Sequence, residues 1–311
     1  MIAPMEGVVD SVMRELLTEI GGVDLCVTEF IRITDRLLPD SHFLKDCPEM
    51  QNGFRTRSGT PVFVQLLGGK PIPLAENAKR LSELGAPGID LNFGCPAKTV
   101  NRHDGGATLL KNPERVFDVV HQVRRAVPLN IPVTAKVRLG FSDKEKFLEI
   151  ALAAESAGAH WLTVHARTRD EGYRPPAHWD YIAKIRERLK IPVIANGDIW
   201  SKEDYLKCLE VTGCESAMIG RGLLARPDLA RQCRDDSPAM SFQDILKYVL
   251  RLNEMSFSYR GEGYAVSRTK QWLVQLRRNF VEAQKFFKKI KRIESNQEMQ
   301  AELRGFHAEI N

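Results

Sequence analysis

Short apolar segments recur along the first 220 residues of the chain, roughly 25 to 45 residues apart. Between most of them lie amphipathic stretches with the periodicity of an α-helix. The strand-like segments are residues 2–5, 25–30, 61–67, 88–92, 132–139, 161–165, 192–196 and 216–220, and the helical stretches include residues 73–84, 113–127, 144–157, 179–189 and 202–211. Eight strands alternating with helices predict a parallel (β/α)8 TIM barrel, in preference to an open doubly wound sheet.

The alternation stops after residue 238. Residues 242–254 and 265–280 have the periodicity of amphipathic helices, and we expect more helix through Ile293. We therefore predict a catalytic barrel over residues 1–238 and a small all-α domain over residues 239–311.

The net charge of +5 is unevenly distributed along the chain. Residues 240–311 hold 13 Lys and Arg against 8 Asp and Glu, whereas residues 1–239 hold 32 of each. A basic excess confined to one region favours a polyanionic partner, although a solvated helical surface also explains it.

Composition argues against several classes of protein. No apolar run approaches the roughly 20 residues that span a bilayer, and the N-terminus lacks the features of a signal peptide. We therefore expect a cytoplasmic protein. The six cysteines are irregularly spaced and form no Cys-x-x-Cys pair, which argues against a metal site and against a disulfide framework.

Polar residues alternate with apolar ones in the predicted fifth and sixth strands. Side chains on one face of these strands are Thr134, Lys136 and Arg138, followed by Thr163, His165 and Arg167, while Gln65, Asn92 and Asn196 lie near the ends of other strands. Each alone could be a satisfied core polar group. Their convergence at the carboxyl ends of barrel strands predicts a site for a polar ligand.

Cys95 follows the fourth predicted strand on a sharp bend. Gly94 permits backbone angles that other residues avoid, and Pro96 cannot continue a sheet. A free cysteine is often a small buried hydrophobe. Asn92 favours a functional site, because its face of the strand would otherwise carry Val or Ile.

The last two strands end in small residues that suit a phosphate group. Asn196-Gly197-Asp198 and Gly220-Arg221-Gly222 supply backbone amides after strands seven and eight, where barrels commonly bind phosphate. Arg221 could add a charge-assisted hydrogen bond.

Short motifs with recognisable order and spacing extend over essentially the whole chain. They are Ala3-Pro4-Met5-Glu6-Gly7, Thr28-Glu29-Phe30, Gln65-Leu66, Asn92-Phe93-Gly94-Cys95-Pro96, Lys136-Val137-Arg138, His165-Ala166-Arg167-Thr168, Asn196-Gly197-Asp198 and Gly220-Arg221-Gly222. Together they resemble the tRNA-dihydrouridine synthases. Within that family, residues 105–110 and 270–273 are most similar to the bacterial C type, which reduces uridine 16 in the D-loop of tRNA.

The resemblance implies a flavoenzyme that acts on RNA. NADPH would reduce a bound FMN, hydride would pass to C6 of the uracil, and Cys95 would protonate C5. The chain contains no dinucleotide-binding Gly-x-Gly-x-x-Gly, which fits a family in which NADPH uses the flavin site. We expect a monomer. Met1 lies two residues before Ala3, so we expect either a short first strand or a true start upstream of Met1.

The resemblance also assigns roles to individual residues. The residues expected to bind the flavin are Pro4, Met5, Glu6, Gln65, Lys136, His165, Asn196, Gly197, Asp198, Gly220 and Arg221. Those expected to hold the flipped uridine or the RNA are Asn92, Arg138, Tyr173 and Arg268.

Two other functions fit part of the pattern. One is an FMN-dependent reductase of a small pyrimidine or enone, similar to the dihydroorotate dehydrogenases, which leaves the basic helical region without a role. Turnover of a free small substrate after deletion of residues 240–311 would favour it. The other is a tRNA-binding protein whose catalysis is incidental, for which Cys95→Ala would leave cellular dihydrouridine unchanged.

Overall fold

The computed structural model describes residues 1–309 and confirms the predicted barrel. The strands are β1 (Cys26–Val27), β2 (Ile31–Arg32), β3 (Val62–Leu67), β4 (Ile89–Asn92), β5 (Val133–Gly140), β6 (Leu162–Thr168), β7 (Val193–Asn196) and β8 (Ser216–Met218). All their pairings are parallel, in the order β1-β3-β4-β5-β6-β7-β8, with β2 extending the pairing of β1 along β3.

The N-terminal residues close this sheet into a barrel. The amide of Ile2 donates to Leu25 O at 3.0 Å, next to β1, and the amide of Ala3 donates to Ile219 O at 2.9 Å, just beyond β8. The amide of Ile219 donates back to Met1 O at 3.0 Å. The strand predicted over residues 2–5, which precedes β1 in the chain, is therefore a single parallel bridge between Ile2 and Ile219.

Helices follow the strands, and over residues 1–309 they are more numerous than the stretches that the sequence pattern predicts. They are α1 (Ser11–Ile20), α2 (Asp40–Asp46), α3 (Pro71–Glu83), α4 (Lys98–Arg102), α5 (Pro113–Ala126), α6 (Phe147–Ser156), α7 (Trp179–Arg188), α8 (Lys202–Thr212), α9 (Arg221–Ala225), α10 (Leu229–Asp235), α11 (Phe242–Arg260), α12 (Glu262–Leu276), α13 (Val281–Ile290) and α14 (Asn296–Glu309). Two 3-10 helices cover Pro48–Asn52 and Gly106–Lys111. Over residues 1–309, no helix is both long enough and apolar enough to cross a bilayer.

The strand register brings the predicted polar face together. Gln65 pairs with Asp90, Asp90 with Thr134, and Asn92 with Lys136. In parallel strands, residues in register lie side by side on the same face. Polar side chains of β3, β4 and β5 therefore lie on one face in two successive layers, the first with Gln65, Asp90 and Thr134 and the second with Asn92 and Lys136.

The chain divides into two compact units. The first contains residues 1–11, 24–199 and 203–220, and thus the whole barrel sheet. The second contains residues 12–23, 200–202 and 221–311, so α1, α9 and α10 group with the helices of the last quarter. Within the second unit, Trp272 of α12 is 2% exposed, and its indole N–H donates to Leu224 O of α9 at 3.0 Å. That bond and that burial give Trp272 a place in the core of the helical unit.

Candidate active site at the carboxyl ends of the barrel strands

The bend after β4 holds Cys95 through hydrogen bonds to its backbone. Asn92 Oδ1 accepts from the amides of Gly94 and Cys95 at 2.9 and 2.8 Å. The amide of Ala107 donates to Cys95 O at 3.2 Å. Gly106 has a φ of +59°, and a Cβ there would lie 2.9 Å from Cys95 O, so only glycine permits this close approach. The thiol is half-buried.

The surroundings of Cys95 keep its thiol protonated. Burial raises the pKa of Cys95, the amide of Ala97 opposes that shift, Glu6 adds to it, and Arg138 opposes it. A thiol with a raised pKa carries its proton at neutral pH and can act as a general acid.

A buried chain of side chains supports the Cys95 loop from inside the barrel. Asn92 Nδ2 donates to Gln65 Oε1 at 2.7 Å, and Gln65 Nε2 donates to Asp90 Oδ2 at 2.6 Å. Thr134 donates to Asp90 Oδ1 at 2.5 Å. Gln65 is fully buried and Asp90 is 1% exposed. Burial raises the pKa of Asp90, while its bonds to Gln65 and Thr134 act in the opposite direction.

Lys136 places a cation at the mouth of the barrel. Its Nζ donates to Asn196 Oδ1 at 3.2 Å, and Asn196 Nδ2 donates to Met218 O at 2.7 Å. Burial lowers the pKa of Lys136 to about 8, with Arg138 acting in the same direction and Asp90 opposing both. The ammonium is mostly charged at neutral pH and can stabilise negative charge on a ligand.

Arg138 joins the Cys95 loop to the turn after β6. Its Nε donates to Gly94 O at 2.8 Å, and its Nη1 donates to Thr168 O and Gly172 O at 3.0 and 2.9 Å. The side chain is buried, 2% exposed, and its guanidinium carbon lies 5.3 Å from the ring centre of Tyr173. Tyr173 itself is 54% exposed. Arg138 thus organises two loops around an exposed aromatic ring.

The end of β6 and the loop after β7 form a second cluster. Arg167, fully buried, forms an ion pair with Asp198 and lies 3.3 Å from His165 Nε2 through its Nη1. Trp179 Nε1 donates to Gly197 O at 2.8 Å. The structure therefore brings His165, Gly197 and Asp198 together, beside an arginine that contacts both His165 and Asp198.

Pro4, Met5 and Glu6, which follow the Ile2 bridge, line the same mouth. A Cβ added at Gly220 would lie 3.3 Å from Met5 Sδ, so the glycine allows close packing there. Pro4 and Met5 are both half-buried. Burial and the neighbouring Asp46 raise the pKa of Glu6.

Two predicted site residues belong to the second compact unit. The Arg221 guanidinium lies over the Trp200 ring at 4.9 Å, and Arg278 lies over the same ring at 3.8 Å. Arg268 is 4% exposed and donates to Gln271 within α12. Arg278 is therefore exposed on the surface of the helical unit, where a ligand can reach it, whereas Arg268, the predicted RNA contact, is buried inside the unit.

Some residues that shape the site are absent from the sequence prediction. Asp90 lies two positions before Asn92 on the same strand face, so strand alternation could have found it, as it found Thr134 on the neighbouring strand. Gly106 lies in a glycine-rich run whose role becomes visible only from its approach to Cys95. Glu171 carries a short-range signal that the sequence prediction did not use: in Thr168-x-x-Glu171, the Thr168 amide donates to the carboxylate and the Glu171 amide donates to the Thr168 hydroxyl, as in a capping box. Its contact with Lys144 comes from a distant segment and has no such signal.

Comparison with known proteins identifies the family. The family model for dihydrouridine synthase (Dus) matches residues 1–311. The tRNA-dihydrouridine(16) synthase of Pseudomonas putida is 52% identical over 297 residues, covering 94% of this chain and 92% of that protein. The enzyme of the same name from Shewanella oneidensis is 50% identical, covering 96% and 95%. That from Escherichia coli O157:H7 is 49% identical, covering 94% and 92%.

Solved structures with a similar fold are more distant in sequence. A variant of NCR from Zymomonas mobilis superposes with a TM-score of 0.53 at 16% identity, over 77% of this chain and 87% of that one. A 2-naphthoyl-CoA reductase complex gives 0.57 at 13% identity, over 75% and 48%. These likenesses show the barrel fold alone. The match of the family model to the full length, together with relatives near 50% identity, shows that the chain belongs to the dihydrouridine synthase family.

Proposed function

We propose that this chain reduces uridine to 5,6-dihydrouridine in the D-loop of tRNA, at position 16, with FMN as bound cofactor and NADPH as reductant. The observation that carries the proposal is the Cys95 thiol, held by Asn92 at the mouth of the barrel and kept protonated by its surroundings. The names of the relatives near 50% identity support the position and the tRNA substrate.

The residues at the mouth fit a flavin. Lys136 offers a cation to the polar edge of an isoalloxazine ring, where negative charge develops on reduction. Gln65 and Asn196 present amides beside it. The close packing of Met5 against Gly220 provides an apolar wall for a flat ring. Gly197, Asp198 and Arg221 remain the predicted contacts of the ribityl chain and phosphate.

The chain's own residues would move the proton. When bound and reduced by NADPH, FMN would supply the hydride for C6 of the uracil. Cys95 donates its S–H proton to C5, so that the C5=C6 double bond becomes single and a thiolate remains on Cys95. Burial raises the pKa of Cys95, and the positive charge of Arg138 opposes that shift, so it would help to stabilise the thiolate until solvent restores the proton. Tyr173 and Arg138 would hold the extruded base, since the reactive bond is otherwise stacked in the folded RNA.

Position-resolved mapping of dihydrouridine in tRNA tests the proposal. Cells lacking the gene are complemented with the wild type, with Cys95→Ala, or with Cys233→Ala, which removes the other half-buried thiol and serves as control. We expect position 16 to lose dihydrouridine only with Cys95→Ala. Loss at another position would contradict the assignment to uridine 16, and unchanged dihydrouridine would contradict the catalytic role of Cys95.

A further inference from the structure

Asp90 is a buried carboxylate that the proposed reaction does not use. It lies on β4 between its register partners Gln65 on β3 and Thr134 on β5, and both partners donate hydrogen bonds to it. A carboxylate that is 1% exposed is costly to keep unless its bonds are needed.

A series of hydrogen bonds joins Asp90 to the Cys95 loop, and in each of them the donor lies on the side of the loop and the acceptor on the side of Asp90. Gln65 points its nitrogen at Asp90 and its oxygen at Asn92. Asn92 points its nitrogen at Gln65 and its oxygen at the amides of Gly94 and Cys95. We call Asp90, Gln65 and Asn92 the amide relay.

The two ends of the amide relay fix this direction. Backbone N–H groups on the Cys95 loop can only donate, so Asn92 must present its oxygen there, and Gln65 must in turn present its oxygen to Asn92. The remaining nitrogen of Gln65 then needs an acceptor, and Asp90 Oδ2 supplies it at 2.6 Å. Without an acceptor at position 90, the buried Nε2–H of Gln65 loses its hydrogen-bond partner. The orientation with the Gln65 oxygen toward Asn92 is then less favourable, and the side-chain amides of Gln65 and Asn92 can rotate by 180°.

We infer that Asp90 is a positioning residue, which sets the direction of the amide relay and thereby holds the Cys95 loop in the geometry for proton donation. The inference rests on the proposed function for its catalytic consequence. It predicts that an acceptor oxygen at position 90 matters more than its negative charge.

Two substitutions at position 90 separate these properties. Asp90→Asn keeps an oxygen for Gln65 and turns its amide nitrogen toward the hydroxyl of Thr134, which can accept. Asp90→Leu has a similar shape and no acceptor. We expect Asp90→Leu to lower kcat for tRNA about tenfold or more with KM within about twofold, and Asp90→Asn to restore kcat to within about threefold of the wild type.

The rate at which iodoacetamide alkylates Cys95, followed by peptide mass spectrometry, reports on the loop without catalysis. We expect a several-fold change in Asp90→Leu and in Gln65→Met, which interrupts the amide relay from its middle, and little change in Asp90→Asn. Thr134→Val is the matched control, because it removes a bond to the other oxygen of Asp90 and leaves the amide relay intact. Gln65→Met also keeps the test open should Asp90→Leu not fold.

The outcomes are distinguishable from failure of the proposed function. If Asp90→Asn is as impaired as Asp90→Leu, or if Thr134→Val matches Asp90→Leu, the inference is overturned. A raised KM with unchanged kcat in Asp90→Leu overturns it as well. Cys95→Ala in the same assay tests the proposed function, and the alkylation rates still test the amide relay if the wild type forms no dihydrouridine.

Discussion

The roles proposed for Cys95 and Lys136 make opposite electrostatic demands on one mouth. As a proton donor the thiol would have to stay neutral, and burial raises the pKa of Cys95. As a partner for an anionic ligand the amine would have to stay charged, and burial lowers the pKa of Lys136. Desolvation favours the neutral form of both groups, so it helps Cys95 and works against Lys136. A charged Lys136 therefore lowers the free energy of unfolding, and this destabilisation can be measured.

Lys136→Met should stabilise the folded protein at neutral pH while abolishing activity. The pKa of Lys136 is about 8 when folded, against about 10.5 in the unfolded chain, so the unfolded chain binds the proton more tightly. The destabilisation of the folded state by the charged Lys136 is therefore greatest below pH 8, and it decreases as the pH rises toward 10.5. We expect a gain of roughly 1–2 kcal/mol in the free energy of unfolding at pH 7, allowing for partial solvation.

Urea denaturation of the wild type and Lys136→Met at pH 7 and pH 9.5 measures this effect. The gain should shrink by about half or more at the higher pH. An equal gain at both values, or destabilisation at pH 7, would contradict the assigned cause.

Among the elements, the Cys95 loop depends on a glycine at position 106. Gly106→Ala places a Cβ 2.9 Å from Cys95 O at a φ of +59°, so it combines backbone strain with a clash. Gly213→Ala is the matched control, because it has a φ of +64° and open space around the new Cβ. In urea denaturation, we expect Gly106→Ala to lower the free energy of unfolding by about 1–2 kcal/mol more than the control does. Gly106→Ala should also lower kcat, whereas the control should not.

The turn after β6 depends on Glu171. Its carboxylate forms an ion pair with Lys144, accepts from the amide of Thr168 at 2.6 Å, and lies 3.0 Å from His178 Nε2. Glu171→Ala frees the turn that Arg138 grips, and we expect KM for tRNA to rise roughly tenfold, with unfolding easier by about 2 kcal/mol. Asp170→Asn, next in sequence and exposed, is the control and should change neither.

The stability effect of Glu171→Ala should depend on pH. Although burial alone raises the pKa of Glu171, Lys144 and the amide of Thr168 lower it to about 2. A depressed folded pKa stabilises above the unfolded value of about 4.5 and loses that effect as the pH falls toward 2. The difference between wild type and Glu171→Ala should therefore narrow through this interval, and a constant difference would contradict the ion-pair origin.

Sequence periodicity predicts the elements best where one face is apolar without interruption. Helix α5, predicted over residues 113–127, covers Pro113–Ala126 and starts at an Asn112 cap with proline in its first turn. Helix α1 is not among the predicted stretches, although its buried apolar residues recur at helical spacing and its pattern is as amphipathic as that of α5. Helix α14 buries only Met299 and Leu303 as apolar anchors, too few to stand out from sequence. Contacts with distant segments of the chain stabilise these two helices, and the local sequence pattern does not show such contacts.

At the scale of the whole molecule, the predicted site residues divide between two compact units. The proposed proton donor Cys95, the amide relay and Lys136 all belong to the barrel unit, whereas Arg221 and the basic α13 belong to the helical unit. Strand alternation predicts Gln65, Asn92 and Lys136, and the Gly-Cys-Pro bend predicts Cys95, whereas Asp90 is found only from the structure. Which of the surface cations meets RNA depends on the shape of the partner, which no periodicity encodes.

Salt dependence of tRNA binding should distinguish cations that meet phosphate from those that are only solvated. Lys285 and Lys288 are exposed on α13, in the region that carries the basic excess. Each lysine that neutralises a phosphate contributes about 0.7 to 0.9 to the slope of log K against log salt. We expect the double substitution Lys285→Ala/Lys288→Ala to reduce that slope by roughly 1.5, measured by filter binding over a range of KCl concentrations.

The matched control replaces two exposed lysines on barrel helices, Lys79 of α3 and Lys184 of α7, which changes the net charge by the same amount. A fall in slope in both double variants would show that overall charge, and not α13, attracts the RNA. An unchanged slope in both would place the phosphate contacts on other cations. A fall confined to the α13 variant locates the RNA-binding surface on the helical unit, because counterion release depends on where the phosphates lie and not on net charge alone.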